Sequence, residues 1–207
     1  MTTRVKICGI TNQKDAYGAI EAGADALGFI FVPETPRYIQ PSDAAKIIES
    51  IPPFISTVGV FRNEEKLLID RIVSEIGVTY IQLHGSETPE YCADFTRPVI
   101  KVFDLNDSFD PRIIDSYRVS AHLVDKPKSN NEGISNWNLA LNARRYTDRL
   151  ILAGGLTPEN VSEAIQYVNP YAVDVASGVE LEKGRKDLCK MKKFIQEARK
   201  TELHTEE

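Results

Sequence analysis

The sequence predicts an α/β protein with a single (β/α)8 barrel, or TIM barrel, as one domain over residues 1–207. Eight short apolar runs alternate with segments of helical periodicity, the pattern of parallel strands joined by helical crossovers. A length of 207 residues suits a compact member of this fold class. The alternative is an open nucleotide-binding sheet, but the turn after the first run, CGITNQ (8–13), has no G-x-G-x-x-G pattern.

Each predicted strand is a short run rich in β-branched residues. In chain order the strands are RVKICG (4–9), ALGFIF (26–31), STVGVF (56–61), TYIQLH (79–84), VIKVFD (99–104), HLVD (122–125), LILAGG (150–155) and AVDVASG (172–178). Helical periodicity marks residues 13–23, 42–51, 64–77, 138–148, 158–168 and 186–200. The fifth and sixth units are the weakest, because residues 106–120 make a poor helix and HLVD is short.

Two of the predicted helices carry clear end signals. In the helix over 64–77, the spacing places Leu67, Leu68, Ile72 and Ile76 near one face, and Gly77 ends the helix. In the helix near 158–168, Thr157 is the expected N-cap and Pro158 takes the first helical position.

Composition restricts the possible partners and location. Thirty acidic and 25 basic residues give a net charge of -5, which disfavours nucleic acid or an acidic membrane as partner. The basic segment 190–200 is typical of a solvated helix face. No leader or membrane-spanning run is found, so a cytoplasmic protein is expected. Three widely spaced cysteines predict neither a disulfide framework nor a metal site. The last few residues, in TELHTEE (201–207), read as a frayed end.

The chemistry of such a barrel lies at the C-terminal ends of its strands. Glycine-rich loops follow the seventh and eighth strands, where barrels commonly bind phosphate through backbone N–H groups. Paired glycines can also simply make tight turns, but two such loops side by side favour a phosphate site. The residues concerned are Gly154, Gly155, Ser177 and Gly178.

Cys8 and Asp125 end the first and sixth predicted strands and could face each other across the barrel mouth. An acid and a base in that arrangement can move a proton between carbon and oxygen without a cofactor. Each has a plainer interpretation. Cys8 can be a buried core thiol, which is the commoner situation, and Asp125 a helix cap or a partner of Lys126 or Lys128.

Two further side chains are candidates for substrate binding. Arg37 lies in a proline-framed loop, PETPRYIQP (33–41), and a guanidinium suits a planar carboxylate. His84 follows the fourth strand and could contact substrate. A solvated arginine and a histidine bonded to the neighbouring loop are the alternatives.

A series of motifs along the chain resembles the phosphoribosylanthranilate isomerase family of tryptophan biosynthesis. They occur in the family's order over nearly the whole chain: VKICGIT (5–11), ADALGFIF (24–31), TPRYI (35–39), VGVF (58–61), IQLHGSE (81–87), LAGGLTPENV (152–161), AVDVASGVE (172–180) and GRKD (184–187). The resemblance implies a cofactor-free Amadori rearrangement of N-(5-phosphoribosyl)anthranilate to 1-(2-carboxyphenylamino)-1-deoxyribulose 5-phosphate, by a monomer or homodimer.

The resemblance also implies roles for these candidates, His84 excepted. Asp125 would be the general acid that opens the sugar ring, and Cys8 the general base that takes the proton from C2. Arg37 would hold the anthranilate carboxylate, Asp174 would contact substrate hydroxyls, and the Gly154 and Ser177 loops would take the phosphate.

The chain departs from the family pattern after the sixth strand. Members usually carry a Gly-rich loop followed by Phe-Asp-Trp, whereas residues 126–137 here read KPKSNNEGISNW. The change motivates one alternative, an isomerase acting on another phosphorylated sugar. A second alternative is a non-catalytic binding or regulatory barrel that keeps these residues by chance.

Overall fold

Eight parallel strands close into a barrel in chain order, which confirms the predicted fold class. The computed structural model describes residues 2–106, 108–126 and 135–200, with the backbone alone for Ser135 and Asn136. The barrel strands are β1 (Arg4–Cys8), β2 (Ala26–Ile30), β3 (Ser56–Phe61), β4 (Tyr80–Leu83), β5 (Val99–Asp104), β6 (Ala121–Asp125), β7 (Leu150–Leu152) and β8 (Ala172–Val175).

Helices connect the strands on the outside. They are α1 (Gln13–Ala22), α2 (Pro41–Ser50), α3 (Lys66–Ile76), α4 (Pro89–Ala93), α5 (Ser135–Ala143), α6 (Val161–Val168) and α7 (Leu188–Lys200). A 3-10 turn at Pro111–Ser116 replaces a helix between β5 and β6, in keeping with the weak helical pattern there. The chain also forms a short hairpin of β9 (Glu180–Glu182) and β10 (Arg185–Lys186) after β8.

Two apolar clusters hold these layers together, because alternate strand residues face opposite sides. One fills the barrel and includes Val58, Val102 and Leu123. The larger one lies between strands and helices and includes Ile7 and Phe194. Lys6 and Cys8 therefore share the inward face of β1, since Val5 and Ile7 point to the helices.

The predicted buried face of α3 was partly wrong. Ile72 and Ile76 are buried as expected, but Leu67 is 80% exposed and Leu68 is 40% exposed. Ile69 and Val73 take their place against the barrel, so the apolar stripe consists of Ile69, Ile72, Val73 and Ile76. Gly77 ends the helix with φ of 72°, as its position predicts.

The starts of α6 and α7 also differ from prediction. Residues 157–160 form a turn in which the Asn160 side chain accepts from the N–H of Thr157, so α6 begins only at Val161 with Asn160 as its N-cap. Lys186 belongs to β10, and α7 begins at Leu188.

Some expectations fall on residues that the structure does not describe. They include the frayed end at 201–207 and most of the altered loop 126–137, of which 127–134 lie outside the described residues. Within the described residues, no helix is long and apolar enough to cross a membrane. The same residues contain no cluster of His, Cys, Asp or Glu suited to a metal ion.

Candidate active site

The C-terminal ends of the barrel strands surround a cavity of about 490 Å³. All nine residues proposed from the sequence line this one cavity: Cys8, Arg37, His84, Asp125, Gly154, Gly155, Asp174, Ser177 and Gly178. A volume of this size can enclose a small phosphorylated molecule. The structure therefore brings the candidates together, while their individual roles stay predictions.

Cys8 is the last residue of β1 and is 5% exposed, so its thiol reaches the cavity floor with little contact to solvent. Burial raises the pKa of this thiol above its ordinary value. The positive charges of Lys6 and Lys186 oppose that effect, and Asp174 adds to it. The site thus holds a thiol whose basicity is set by buried charges around it.

Asp125 is the last residue of β6 and keeps 30% of its side chain exposed. His84 stands between two carboxylates, with Nε2 3.7 Å from Asp125 Oδ2 and 3.8 Å from Asp104 Oδ1. Burial lowers the pKa of His84, and Asp104 and Asp174 offset this only in part. His84 is therefore a neutral neighbour of Asp125 at neutral pH, at distances beyond those of a direct hydrogen bond.

A buried carboxylate holds the loop that carries His84. Glu87 accepts hydrogen bonds from the N–H of Asn63 at 2.8 Å and of Gly85 at 2.9 Å, and pairs with Lys101 at 2.7 Å. These contacts join the loops after β3 and β4. They position His84 through the backbone of its neighbour Gly85.

Arg37 is not an isolated guanidinium, as the sequence alone presented it. Its Nε and Nη2 donate to the two carboxylate oxygens of Glu180, both at 2.7 Å. Lys186 also reaches Glu180, at 3.2 Å. The hydrogen bonds that Arg37 donates to Glu180 raise the pKa of Arg37 above its ordinary value. Glu180 thereby fixes the plane of the guanidinium and leaves its Nη1 side for another acceptor.

Asp174 lies on β8 and forms an ion pair with Lys6 on β1, with Nζ and Oδ1 2.9 Å apart. The parallel register pairs these residues directly, so both side chains point into the barrel below the cavity. Asp174 lines the cavity as predicted, but one of its oxygens is already occupied by Lys6.

The loops after β7 and β8 touch each other at one side of the cavity. A Cβ added to Gly178 would overlap the carbonyl oxygen of Leu156, and one added to Gly154 would overlap the backbone of Lys126. Gly154 and Gly155 have φ of 84° and 66°, which favours glycine. The main chains of the two loops therefore pack closely at this side of the cavity. A cradle of their peptide N–H groups for an anion stays a prediction.

Gly178→Ala should disrupt this cradle, because the new methyl group must displace the Leu156 carbonyl. We expect inorganic phosphate to bind about 10-fold more weakly or worse, and the variant to be about 1–3 kcal/mol less stable. Isothermal titration with phosphate and urea unfolding measure both effects.

The matched control is Gly77→Ala, at a glycine with φ of 72° and open space around its Cβ position. It should cost about 1–2 kcal/mol of stability and leave phosphate binding unchanged. Equal phosphate affinity in Gly178→Ala and the parent would contradict the cradle.

Sequence patterns did not single out the charged partners of Cys8, Arg37 and Asp174, which are Lys6, Glu180 and Lys186. Lys6 had a usable signal, since it stands two residues before Cys8 and so shares its face of the strand. Glu180 and Lys186 had none, because only the hairpin of β9 and β10 folds them back over the barrel.

The comparisons with known proteins agree with this geometry. A family model described as "N-(5'phosphoribosyl)anthranilate (PRA) isomerase" matches residues 5–197. The N-(5'-phosphoribosyl)anthranilate isomerase of Geobacter sulfurreducens is 50% identical over 202 residues, covering 95% of this chain and 98% of the relative.

Two similar crystal structures cover 96% of this chain and 99% of their own. One is a phosphoribosylanthranilate isomerase in complex with reduced 1-(o-carboxyphenylamino)-1-deoxyribulose 5-phosphate, with 43% identity and a TM-score of 0.87. The other is of monomers generated from the dimeric isomerase of Thermotoga maritima, with 40% identity and a TM-score of 0.85. Because the family model matches residues 5–197 of this chain, the chain belongs to the N-(5'-phosphoribosyl)anthranilate isomerase family.

Proposed function

We propose that the chain isomerises N-(5-phosphoribosyl)anthranilate by general acid and base catalysis, with Asp125 as acid and Cys8 as base. Isomerisation of this compound in tryptophan biosynthesis is the activity of the family to which the chain belongs. The observation that carries the mechanism is that Cys8 and Asp125 end strands β1 and β6 and line one cavity. Strands β7 and β8 separate them, so a substrate can lie between the two groups.

The first step opens the sugar. Asp125 gives a proton to the furanose ring oxygen, the bond from C1 to that oxygen breaks, and the anthranilate nitrogen forms a C=N bond to C1. The cation that results makes the hydrogen on C2 acidic. Asp125 suits this step because a partly buried carboxylic acid can deliver its proton directly to the leaving oxygen.

The second step moves the double bond. Cys8 takes the proton from C2 to give an enolamine, which becomes the ketone as C1 gains a proton and the hydroxyl on C2 loses one. Two protons leave the C2 centre and two are gained, by the ring oxygen and C1. The rearrangement is therefore balanced without an oxidant, a reductant or a cofactor.

The remaining groups hold the two charged ends of the substrate. The cradle of Gly154, Gly155, Ser177 and Gly178 takes the phosphate. Arg37, oriented by Glu180, offers its Nη1 side to the anthranilate carboxylate. Asp174 and His84 contact the part of the substrate in between.

The direct test is the fluorescence of phosphoribosylanthranilate, formed in place from anthranilate and phosphoribosyl pyrophosphate by the preceding enzyme. Purified protein should make the signal fall faster than the substrate decays by itself. If the signal falls only at the background rate while phosphate still binds, the proposed activity is wrong. Other phosphorylated sugars then become the candidate substrates.

Arg37→Ala should weaken binding of a product analogue that carries the carboxylate by about 30-fold, since a charge-assisted contact is worth about 2 kcal/mol or more. Titration calorimetry should compare this analogue with one that lacks the carboxylate, on the parent and the variant. The analogue without the carboxylate should bind both proteins about equally.

Arg37→Lys serves as the control for this prediction. The new lysine keeps a positive charge near Glu180. In Arg37→Ala, by contrast, Lys186 is left as the cation that pairs with Glu180. Compared with Arg37→Ala, Arg37→Lys should recover more of the stability than of the affinity for the analogue. An ammonium group cannot form coplanar pairs of hydrogen bonds with two carboxylates as a guanidinium can. If both analogues lose affinity equally in Arg37→Ala, Arg37 does not bind the carboxylate.

Location and assembly are also part of this proposal. We infer a cytoplasmic enzyme that acts as a monomer or a homodimer on a small phosphorylated substrate, without nucleic-acid or membrane partners. A dimeric relative supports the homodimer as one of the two states. The net charge of -5 supports the absence of polyanionic partners.

A further inference from the structure

Lys6 is a lysine buried beneath the active site, with 4% of its surface exposed. It precedes Cys8 by two residues on β1, so both side chains enter the barrel on the same side. A buried lysine is uncommon unless a partner keeps its charge. Asp174 is such a partner at 2.9 Å, and this pair alone would give Lys6 a purely structural purpose.

A glycine on the neighbouring strand brings Lys6 to the thiol as well. Gly28 on β2 pairs with Cys8 in the parallel register. A Cβ built on Gly28 would lie 2.8 Å from Cys8 Sγ and 3.1 Å from Lys6 Nζ. The sulfur and the ammonium therefore both border the space that the absent side chain leaves, and the charge of Lys6 acts on Cys8 across it.

Lys6 is the strongest of the charges that act in favour of the thiolate. Burial raises the pKa of Cys8, Lys6 lowers it more than any other group, and the repulsion from Asp174 is smaller than the attraction by Lys6. Burial also lowers the pKa of Lys6, but Asp174 and Cys8 outweigh that effect and raise it to about 12. Lys6 therefore stays charged at any working pH.

The other charged groups around Cys8 are less suited to this task. Burial lowers the pKa of Lys186, and its ammonium is engaged by Glu180. The guanidinium of Arg37 is held by the same carboxylate. Asp174 opposes the thiolate by its charge. Lys6 is the cation that both borders the same space as the sulfur and keeps its charge.

We propose that Lys6 is a positioning residue for Cys8, which holds the sulfur at the cavity floor and favours the thiolate that receives the substrate proton. The inference rests on the proposed function in one respect only, that Cys8 is the base. The electrostatic part concerns the free protein. It can be measured without substrate or turnover.

The test is the pH dependence of alkylation of Cys8 by iodoacetamide, in a Cys189→Ser background because Cys189 is exposed. Alkylation of a Cys8→Ser sample measures the background from other groups, which is subtracted. In Lys6→Met we expect the profile to shift to higher pH and the rate at neutral pH to fall about 10-fold or more, as a shift of one pKa unit requires. Lys6→Arg should restore part of the rate.

A second variant separates this role from the ion pair, since Lys6→Met alone leaves Asp174 buried without a counter-charge and can lose stability. In Lys6→Met/Asp174→Asn the buried charge is gone, so stability should recover. The alkylation profile should still lie at higher pH than in the parent, because the attraction that is lost exceeds the repulsion that is lost.

The outcomes are distinct. A parent-like alkylation profile in the stable double variant would overturn the inference and leave Lys6 as a counter-charge of Asp174. A shifted profile supports it. Absence of isomerase activity in the parent, with a shifted profile in the variants, would refute the proposed function and not the effect of Lys6 on the thiol.

Discussion

Replacement of Asp125 by Asn should lower turnover of phosphoribosylanthranilate by a factor of about 10²–10⁴, the usual contribution of a general acid. An amide keeps the shape of the side chain but has no acidic proton for the ring oxygen. Affinity for phosphate should stay near that of the parent, because the phosphate cradle proposed beside Asp125 depends on backbone and not on this carboxylate. The fluorescence assay and phosphate titration measure the two effects.

Asp104→Asn is the matched control for this prediction. The register pairs Asp104 with Asp125 on the adjacent strand, and its carboxylate lies at a similar distance from His84. Its side chain is 63% exposed, and we assign it no proton transfer. The control should lose less than about 10-fold in turnover. Equal losses in the two variants would show a general charge effect and remove the acid role from Asp125.

Cys8→Ser should cost about 10³-fold or more in turnover, since a hydroxyl is a far weaker base than a thiolate. Serine is close in size to cysteine, so the fold and the cavity should persist. The parent should also become more active as pH rises through the range where thiols titrate. Burial raises the pKa of Cys8, so this rise should extend above the range of an ordinary thiol.

Cys92→Ser provides the control at a second buried cysteine. Cys92 lies on α4, away from the lining of the cavity, and is 2% exposed. The same chemical change there should leave the kcat and its pH profile unaltered. If Cys8→Ser retains most of the activity and the same pH profile, the thiol is a core residue and another group takes the proton.

The sequence predicted the fold well because the signal of a parallel barrel is local and repeated. Each strand has its own apolar run, and errors in one unit do not change the count. The partly wrong prediction for the buried face of α3 shows the limit of reasoning from local patterns. Leu68 lies four residues before Ile72 and fits the helical period as well as Ile69 and Val73 do, so only the packing of α3 against the barrel decides between them. Leu67 lies five residues before Ile72 and nine before Ile76, so the period itself places it on another face.

Some residues of the candidate site could be predicted from the sequence and others could not. Residues at the strand ends, such as Cys8 and Asp125, could be found because the fold alone decides where they lie. The partners that set their chemistry could not. Glu180 meets Arg37 across 143 positions of sequence, and Lys6 meets Asp174 across 168. Such contacts have no local pattern from which to predict them.

The contact between Gly178 and the Leu156 carbonyl has a consequence for the transfer of this site to other barrels. The cradle proposed above depends mainly on main chain, which side-chain substitutions cannot copy onto a foreign loop. Its two loops fit only each other, and strands β7 and β8 set the distance between them. The smallest portable unit is therefore the pair of consecutive strands with both loops, and a graft of either loop alone should leave the recipient barrel without an anion site.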